Sequence, residues 1–394
     1  MSTAAGSSQS SSSPQWSDLP DDLLGLVHLR LASPRDRVHV AAVCKRWRAA
    51  ASLLPRPPGR PLLLVSPRRL QFSGTKLLCG PDDCCVVRVP DKAEDKWFVG
   101  SHDGGWVAAV DDRTLVIVNF FSGAEAVRAP VCSRNLLSIK PTSLRKIIFS
   151  DAPASSSCIL AAIAYTRSHV VLCKADRHES GWTAKHMQGK MVGDITFCNG
   201  ELYGLIGPEE ELVKFEIDME QDGTPVITSS HPLAIQRCHG PTDKDDPMAY
   251  RAHIFELHGK PSMAIRTRWS PNHEPYFKIF TLVDTNKVEA YKYKWAEVVN
   301  FDEYALFLGP NWSKAVPVTV GQHHGLKRNH IYYGAQILWG TNELPDDIVY
   351  SMKINDDEHM YCRQDPSVGD SVERTEYHLE GFISSHMWLY PPNL

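Results

Sequence analysis

Missing from this chain are the signals that would direct it to a membrane, to export or to a nucleic acid. No run of about 18 apolar residues is present, so a spanning helix has no candidate. The Ser-rich stretch 1–15 lacks the apolar core of about 7 to 15 residues that a secretory signal needs. Lys and Arg number 42 against 46 Asp and Glu, a net charge of −4, and no global field draws the chain to nucleic acid or an anionic surface. Ten cysteines are scattered without a CxxC pair or a regular framework, in a chain of 394 residues that needs no staples. They are expected as reduced thiols in the cytosol, the nucleus or both, where the sequon Asn311-Trp312-Ser313 would never meet a glycosylation enzyme. Neither a Gly-rich dinucleotide loop nor a GxxxxGK[ST] phosphate loop occurs, and no cofactor is expected.

What is present is globular: 43% of residues are hydrophobic and 22% charged, which excludes wholesale disorder. Residues 1–15 are the exception, too rich in Ser and Gly to offset the entropy of ordering, and are expected as a disordered tail. From residue 16 to 54 the apolar spacing is helical, with Leu23, Leu24, Val27 and Leu31 in one stripe and Val40, Val43, Cys44, Trp47, Ala51 and Leu54 in another. Ser33 before Pro34, and Ser17 or Asp18 before Pro20, are helix-start signals. Pro55, Pro57, Pro58 and Pro61 then stop any helix, and 55–61 is a Pro-rich linker between domains.

Over 62–394 the hydrophobic period becomes two. Ile195–Cys198, Asn199-Gly200 and Glu201–Leu205 predict a hairpin with a type I′ turn, because Asn-Gly accepts two positive φ angles. Further hairpins are expected at Trp106–Val110 with Leu115–Asn119, Ile159–Tyr165 with His169–Lys174, His253–Leu257 with Pro261–Arg266, and Tyr276–Leu282 with Lys287–Tyr291. Antiparallel hairpins in series without intervening helices fit a β-propeller, and at about 45 to 50 residues per blade the length allows six or seven blades. The fold expected is thus a small all-α domain followed by a large all-β propeller.

Two motifs carry a resemblance. Trp16-Ser17-Asp18-Leu19-Pro20-Asp21-Asp22-Leu23-Leu24, followed by Val43-Cys44-Lys45-Arg46-Trp47-Arg48, resembles the F-box. A module of about 40 residues buries little apolar surface alone, so its outward stripes call for a partner. In the family that partner is an Skp-type adaptor. The resemblance places Leu19 and Pro20 in the adaptor's groove, with Leu23, Leu24, Val27, Leu31, Val38, Val43 and Cys44 completing the packed and contacting surface and Trp47 anchoring the last helix. The alternative is a helical cap on the β domain.

The segment Leu308-Gly309-Pro310-Asn311-Trp312-Ser313, continued by Gly325-Leu326-Lys327-Arg328-Asn329-His330-Ile331-Tyr332, is similar to a motif of plant F-box proteins that carry a propeller. Gly309, Asn311, Ser313, Gly325, Leu326, Asn329, Ile331 and Tyr332 are expected to act in the fold, through a tight turn and a half-buried strand, and not in catalysis.

Enzyme signatures are weak. Ser101, His102 and Asp103 are contiguous, whereas a nucleophilic triad is assembled from separate loops. His323-His324 lacks any metal-ligand spacing, and Cys84-Cys85 is expected as a pair of strand residues. The resemblance therefore implies a non-catalytic substrate-recognition subunit of an Skp–cullin–F-box ubiquitin ligase. It would reach the cullin and RING subunits through the adaptor and hold an unidentified target protein on the propeller. The alternative is a propeller interaction module unconnected with ubiquitin. Arg237–Met248 and Pro271–Pro275 are candidate target loops on length and polarity.

Overall fold

A short unit of three helices opens the chain: α1 (Asp21–Arg30), α2 (Pro34–Val43) and α3 (Lys45–Ser52). Pro20 precedes α1 with φ −57°, and Asp21 and Asp22 place negative charge at the helix's positive end. Pro34 takes the first position of α2, where a missing N–H costs nothing. Both α1 and α2 pack on α3, with Leu24 and Ala50 buried at 3% exposure each. An exposed ion pair of 2.8 Å joins Arg46 to Asp21. The computed structural model describes residues 16, 19–31, 34–52, 60–67, 74–80, 84–111, 114–130, 144–164, 168–176, 181–207, 211–236, 252–266, 277–285, 291–318, 326–334, 359–364, 372–377 and 383–392. The tail 1–15, most of the linker, Gly325, His323-His324 and both candidate target loops lie outside these.

The chain divides into a unit of Met1–Pro58 with Gly321–His324 and Asn393–Leu394, and a unit of Gly59–Val320 with Gly325–Pro392. The second is a ring of six sheets. Strands β1 (Leu62–Pro67), β2 (Thr75–Cys79) and β3 (Cys84–Arg88) belong to blade 1, and β4 (Trp97–His102), β5 (Trp106–Val110), β6 (Thr114–Asn119) and β7 (Glu125–Pro130) make blade 2. Blade 3 is β8 (Leu144–Phe149), β9 (Ile159–Ala164), β10 (His169–Lys174) and β11 (Thr183–His186). Blade 4 is β12 (Met191–Cys198), β13 (Glu201–Gly207), β14 (Glu211–Met219) and β15 (Pro225–Pro232).

In blade 5, β16 (Ile235–Gln236) joins β17 (Ala252–Leu257), β18 (Lys260–Arg266), β19 (Phe277–Asp284) and β20 (Tyr293–Val298). Blade 6 holds β21 (Tyr304–Leu308), β22 (Lys314–Pro317), β23 (Ile331–Gly334), β24 (His359–Gln364) and β25 (Val372–Tyr377). The last strand, β26 (Ile383–Leu389), returns to blade 1 and pairs with β1 from Leu62↔Leu389 to Pro67↔Ile383. One blade is therefore shared between the two ends of the ring, and the count is six, within the expected six or seven.

The pairing is antiparallel except at β16–β20 and β21–β23, which are parallel. Four of the expected hairpins form where the sequence puts them. The fifth differs: the partner of β19 is Tyr293–Val298 and not Lys287–Tyr291, part of which lies outside the described residues. The alternating pattern runs on from Lys287 to Val298, so local sequence fixes the pleat but not the starting point. Cys44, Cys85, Cys158, Cys173 and Cys198 are free. Cys79 is disulfide-bonded, a departure from the expectation of ten reduced thiols. Burial pushes the Cys173 thiol up to about 12, which leaves it inert.

Strands β26, β4, β8, β12, β17 and β22 stand at one edge of their sheets and pack on one another in that ring order. Close approach has local causes. Gly100 lies against β8, and a Cβ there would run into the Ile147 carbonyl oxygen. Strands β4, β8 and β12 each carry an irregularity near their start, at Phe98/Gly100, Leu144/Lys146 and Val192/Asp194. A bulge re-aims the side chain that follows it, and here it turns Lys146 and Asp194 toward each other. Their ion pair spans blades 3 and 4 at 2.6 Å, with both side chains 2% exposed. Asp194 also accepts N–H bonds from Ile195 at 2.9 Å and from Ile254 of blade 5 at 3.0 Å. One carboxylate thus holds three blades in register.

Removing one partner of such a pair leaves an uncompensated buried charge. Asp194→Ala is therefore expected to cost about 3–5 kcal/mol, read as a lower denaturant midpoint.

Stability should also respond to pH. Burial holds the His102 and His169 imidazoles below their ordinary range, with Lys314 adding to the effect at the first and His186 at the second. A depressed histidine stabilises the fold above its unfolded pKa of about 6.5, and that contribution is lost as pH falls toward the folded value. Denaturation midpoints should drop below about pH 6.5, and less steeply in a His102→Gln, His169→Gln double variant.

Candidate functional site

The helical unit and the 309–332 segment hold the residues that the sequence singles out. In α1 the apolar residues divide between two faces. Leu24 and His28 are buried and Leu31 half-buried, whereas Leu23, Leu26 and Val27 are 43%, 49% and 37% exposed. Neighbouring helical residues point about 100° apart, so Leu23 and Leu24 stand at the two margins of one broad stripe. The stripe expected from Leu23, Leu24, Val27 and Leu31 has a buried side, with Leu24 and Leu31, and an outer one, with Leu23 and Val27. Leu26, on the outer one, escaped the motif. At the end of α2, Val43 is 60% exposed and Cys44 is exposed beside it, while Leu19 and Trp47 are half-buried and Pro20 is exposed. Val38 lies in α2, its side chain outside the description.

The second motif is a structural device inside the ring. Ser313 Oγ donates to the Gly309 carbonyl at 3.1 Å and accepts the Gly309 N–H at 3.3 Å, closing the loop between β21 and β22. A Cβ on Gly309 would sit 2.8 Å from the Trp312 carbonyl oxygen, tighter than real side chains allow. Buried Asn311 donates from Nδ2 to the Phe98 carbonyl of blade 2 at 3.1 Å, and Lys314 pairs with Asp103 of the same blade. Blades 6 and 2 have blade 1 between them, so they meet only where the inner edges converge near the axis. The 309–314 segment thus crosses there. Trp388 of β26 donates from Nε1 to the Leu308 carbonyl at 2.8 Å, and its own carbonyl accepts from Ser101 Oγ at 2.7 Å.

The rest of the motif anchors the parallel β21–β23 pair. Asn329, with φ 55°, accepts the Phe301 N–H at 2.8 Å and donates from Nδ2 to Val299 O at 3.3 Å and from its backbone to Tyr304 O at 2.8 Å. Tyr332 stacks on Phe307, 4.9 Å between ring centres and 11° between planes, and its hydroxyl accepts the Lys327 N–H. Ile331 is fully buried and Leu326 nearly so. Ser101, His102 and Asp103 do not converge: Ser101 is engaged with Trp388, His102 packs on Phe149 at 5.4 Å, and Asp103 is held by Lys314. Among the described residues no three His, Cys, Asp or Glu side chains are grouped for a metal, and no helix is long and apolar enough to cross a membrane.

A family model described as KIB1-4 beta-propeller matches residues 75–362. The chain belongs to that family. An F-box-like model matches residues 16–54, the three-helix unit. Together they make the architecture of a plant F-box protein with a propeller, an arrangement typical of non-catalytic adaptor subunits. One relative, named "Putative F-box protein At3g25750" of Arabidopsis thaliana, is 22% identical over 352 residues, covering 81% of this chain and 87% of its own. Among solved structures, the yeast Nup82–Nup159–Nup116 nucleoporin complex aligns at 9% identity and a TM-score of 0.34, covering 83% of this chain and 100% of that one. The WD40 domain of SCAP from fission yeast aligns at 11% identity and 0.31, covering 75% and 69%.

Because Asn311 is buried and its carboxamide serves the Phe98 carbonyl of a buried residue, Asn311→Ala is expected to cost about 1–3 kcal/mol. Lys314→Ala, breaking a half-exposed pair, should cost less than about 1 kcal/mol. Thermal unfolding of the two variants would rank them.

Proposed function

We propose that the chain is the substrate-recognition subunit of an Skp–cullin–F-box ubiquitin ligase working in the cytosol or nucleus. On this reading the N-terminal helices dock an Skp-type adaptor and the propeller holds the target. The observation that carries it is the second apolar face of the helical unit. Leu24 and Ala50 satisfy the fold's own packing, yet Leu23, Leu26, Val27 and Val43 remain outside it on the segment that matches the F-box. Side chains of this kind gain about 1.5–3 kcal/mol each when buried against a partner, a gain the unit leaves unused.

The chain's part in the reaction is positional. Holding a target lysine close to a charged conjugating enzyme raises its effective concentration without any chemical group from the propeller. The adaptor brings the cullin and RING subunits, and the ring supplies a surface of loops on a rigid frame.

Leu23→Asp with Val27→Asp tests the reading without disturbing the buried face. Wild type should co-purify with a recombinant Skp-type adaptor. The double variant should lose affinity by about 100-fold or more, since about 3 kcal/mol of apolar contact is removed, while circular dichroism shows the helices intact. A folded wild type that captures no adaptor would sink the ligase reading and leave a propeller interaction module outside the ubiquitin system.

A further inference from the structure

The sequence contains one Asn-Gly pair, Asn199-Gly200, in the turn between β12 and β13 where Cys198 faces Glu201. Both residues take positive φ, 50° and 78°. The turn is also a clasp between blades. Asn199 Nδ2 donates to the Gly259 carbonyl at 2.7 Å, and its backbone N–H donates to Glu256 Oε2 at 3.2 Å. Gly259 lies in the matching turn of blade 5, between Leu257 and Lys260, so the tips of two adjacent hairpins are tied through one carboxamide.

We propose that Asn199 is a site of spontaneous deamidation, gated by this clasp, and that its modification permanently unties blades 4 and 5 at their tips. The Gly200 nitrogen attacks Asn199 Cγ. A C–N bond forms, the Cγ–Nδ2 bond breaks, and ammonia leaves with the proton from Gly200. Water then opens the succinimide at Cγ, giving aspartate, or at the main-chain carbonyl, giving isoaspartate. Gly200 suits the step because it has no side chain and open space where a Cβ would stand. The clasp opposes it, since a carboxamide held on Gly259 is not free to swing onto the Gly200 nitrogen, so conversion requires the tips to open first.

The product cannot remake the contact. An ionised carboxylate has no donor for the Gly259 carbonyl and adds a second negative charge beside Glu256. Opening is reversible before the reaction and one-way after it.

The test is ageing of the purified full chain at mildly alkaline pH, with peptide mapping by mass spectrometry and enzymatic isoaspartate labelling, beside a synthetic peptide spanning residues 195–203. Asn199 in the folded chain should convert, at least about tenfold more slowly than in the peptide. Glu256→Ala removes one clasp bond and keeps Asn-Gly, so its rate should move toward the peptide's. Urea below the unfolding transition should do the same to wild type, independently of how the variant folds. The converted fraction and Asn199→Asp should both melt below wild type, since neither has the carboxamide donor. Conversion as fast as in the peptide, or none while the peptide converts fully, or a rate indifferent to both Glu256→Ala and urea, would overturn the proposal.

Discussion

Closure of the ring is the constraint on which the rest of the structure depends. A propeller blade buries its faces only against neighbours, so an open row of six sheets would leave two faces in water. The chain solves this twice. Strand β26 joins β1 in a shared blade over six residue pairs, a main-chain solution that any sequence able to form strands can use. The second solution belongs to side chains: Trp388 ties β26 to the end of β21, and Asn311 carries blade 6 across to Phe98 of blade 2. Together they fix the position of the inner edges, where the bulged starts of β4, β8 and β12 must fit around a narrow axis.

This explains why the 309–332 motif combines residue types with little in common. Gly309 is needed because backbone stands where its side chain would be, Ser313 because it both donates and accepts across a five-residue loop, and Asn329 because its carboxamide serves two backbone groups, the Phe301 N–H and the Val299 carbonyl. Parallel pairing of β21 with β23 interrupts the antiparallel order of blade 6, and a crossover leaves main-chain groups that no ladder satisfies. None of these duties involves a ligand. The described part of the motif is the hardware of closure.

The fold was largely legible where its causes are local. Asn-Gly at 199–200 dictates its own turn, and period-two runs bounded by turn formers gave four hairpins at their observed places. Legibility failed where the cause lies far away in sequence. Lys146 and Asp194 sit 48 positions apart, and only the bulges turn them together. Charge inside an apolar strand, Arg145 and Lys146 in Leu144–Phe149 and Asp194 in Met191–Cys198, was the available signal. At the helical unit the sequence did not separate the buried side of the stripe from the exposed one, since Leu23 and Leu24 share a motif yet differ in burial.

The same division of duties separates the two units. Among the described residues the propeller buries long apolar runs in its inter-blade cores: Val107 to Val110, Leu115 to Val118 and Leu160 to Ile163 are all fully buried. The helical unit, too small to bury what it carries, keeps an apolar face outward. Excess apolar surface on the small unit and its economy on the large one are opposite consequences of the same scaling of surface with volume. An adaptor needs both, a sticky short module and a self-sufficient frame whose loops vary without endangering the core. On the proposed reading, association therefore falls to the helices and recognition to the ring.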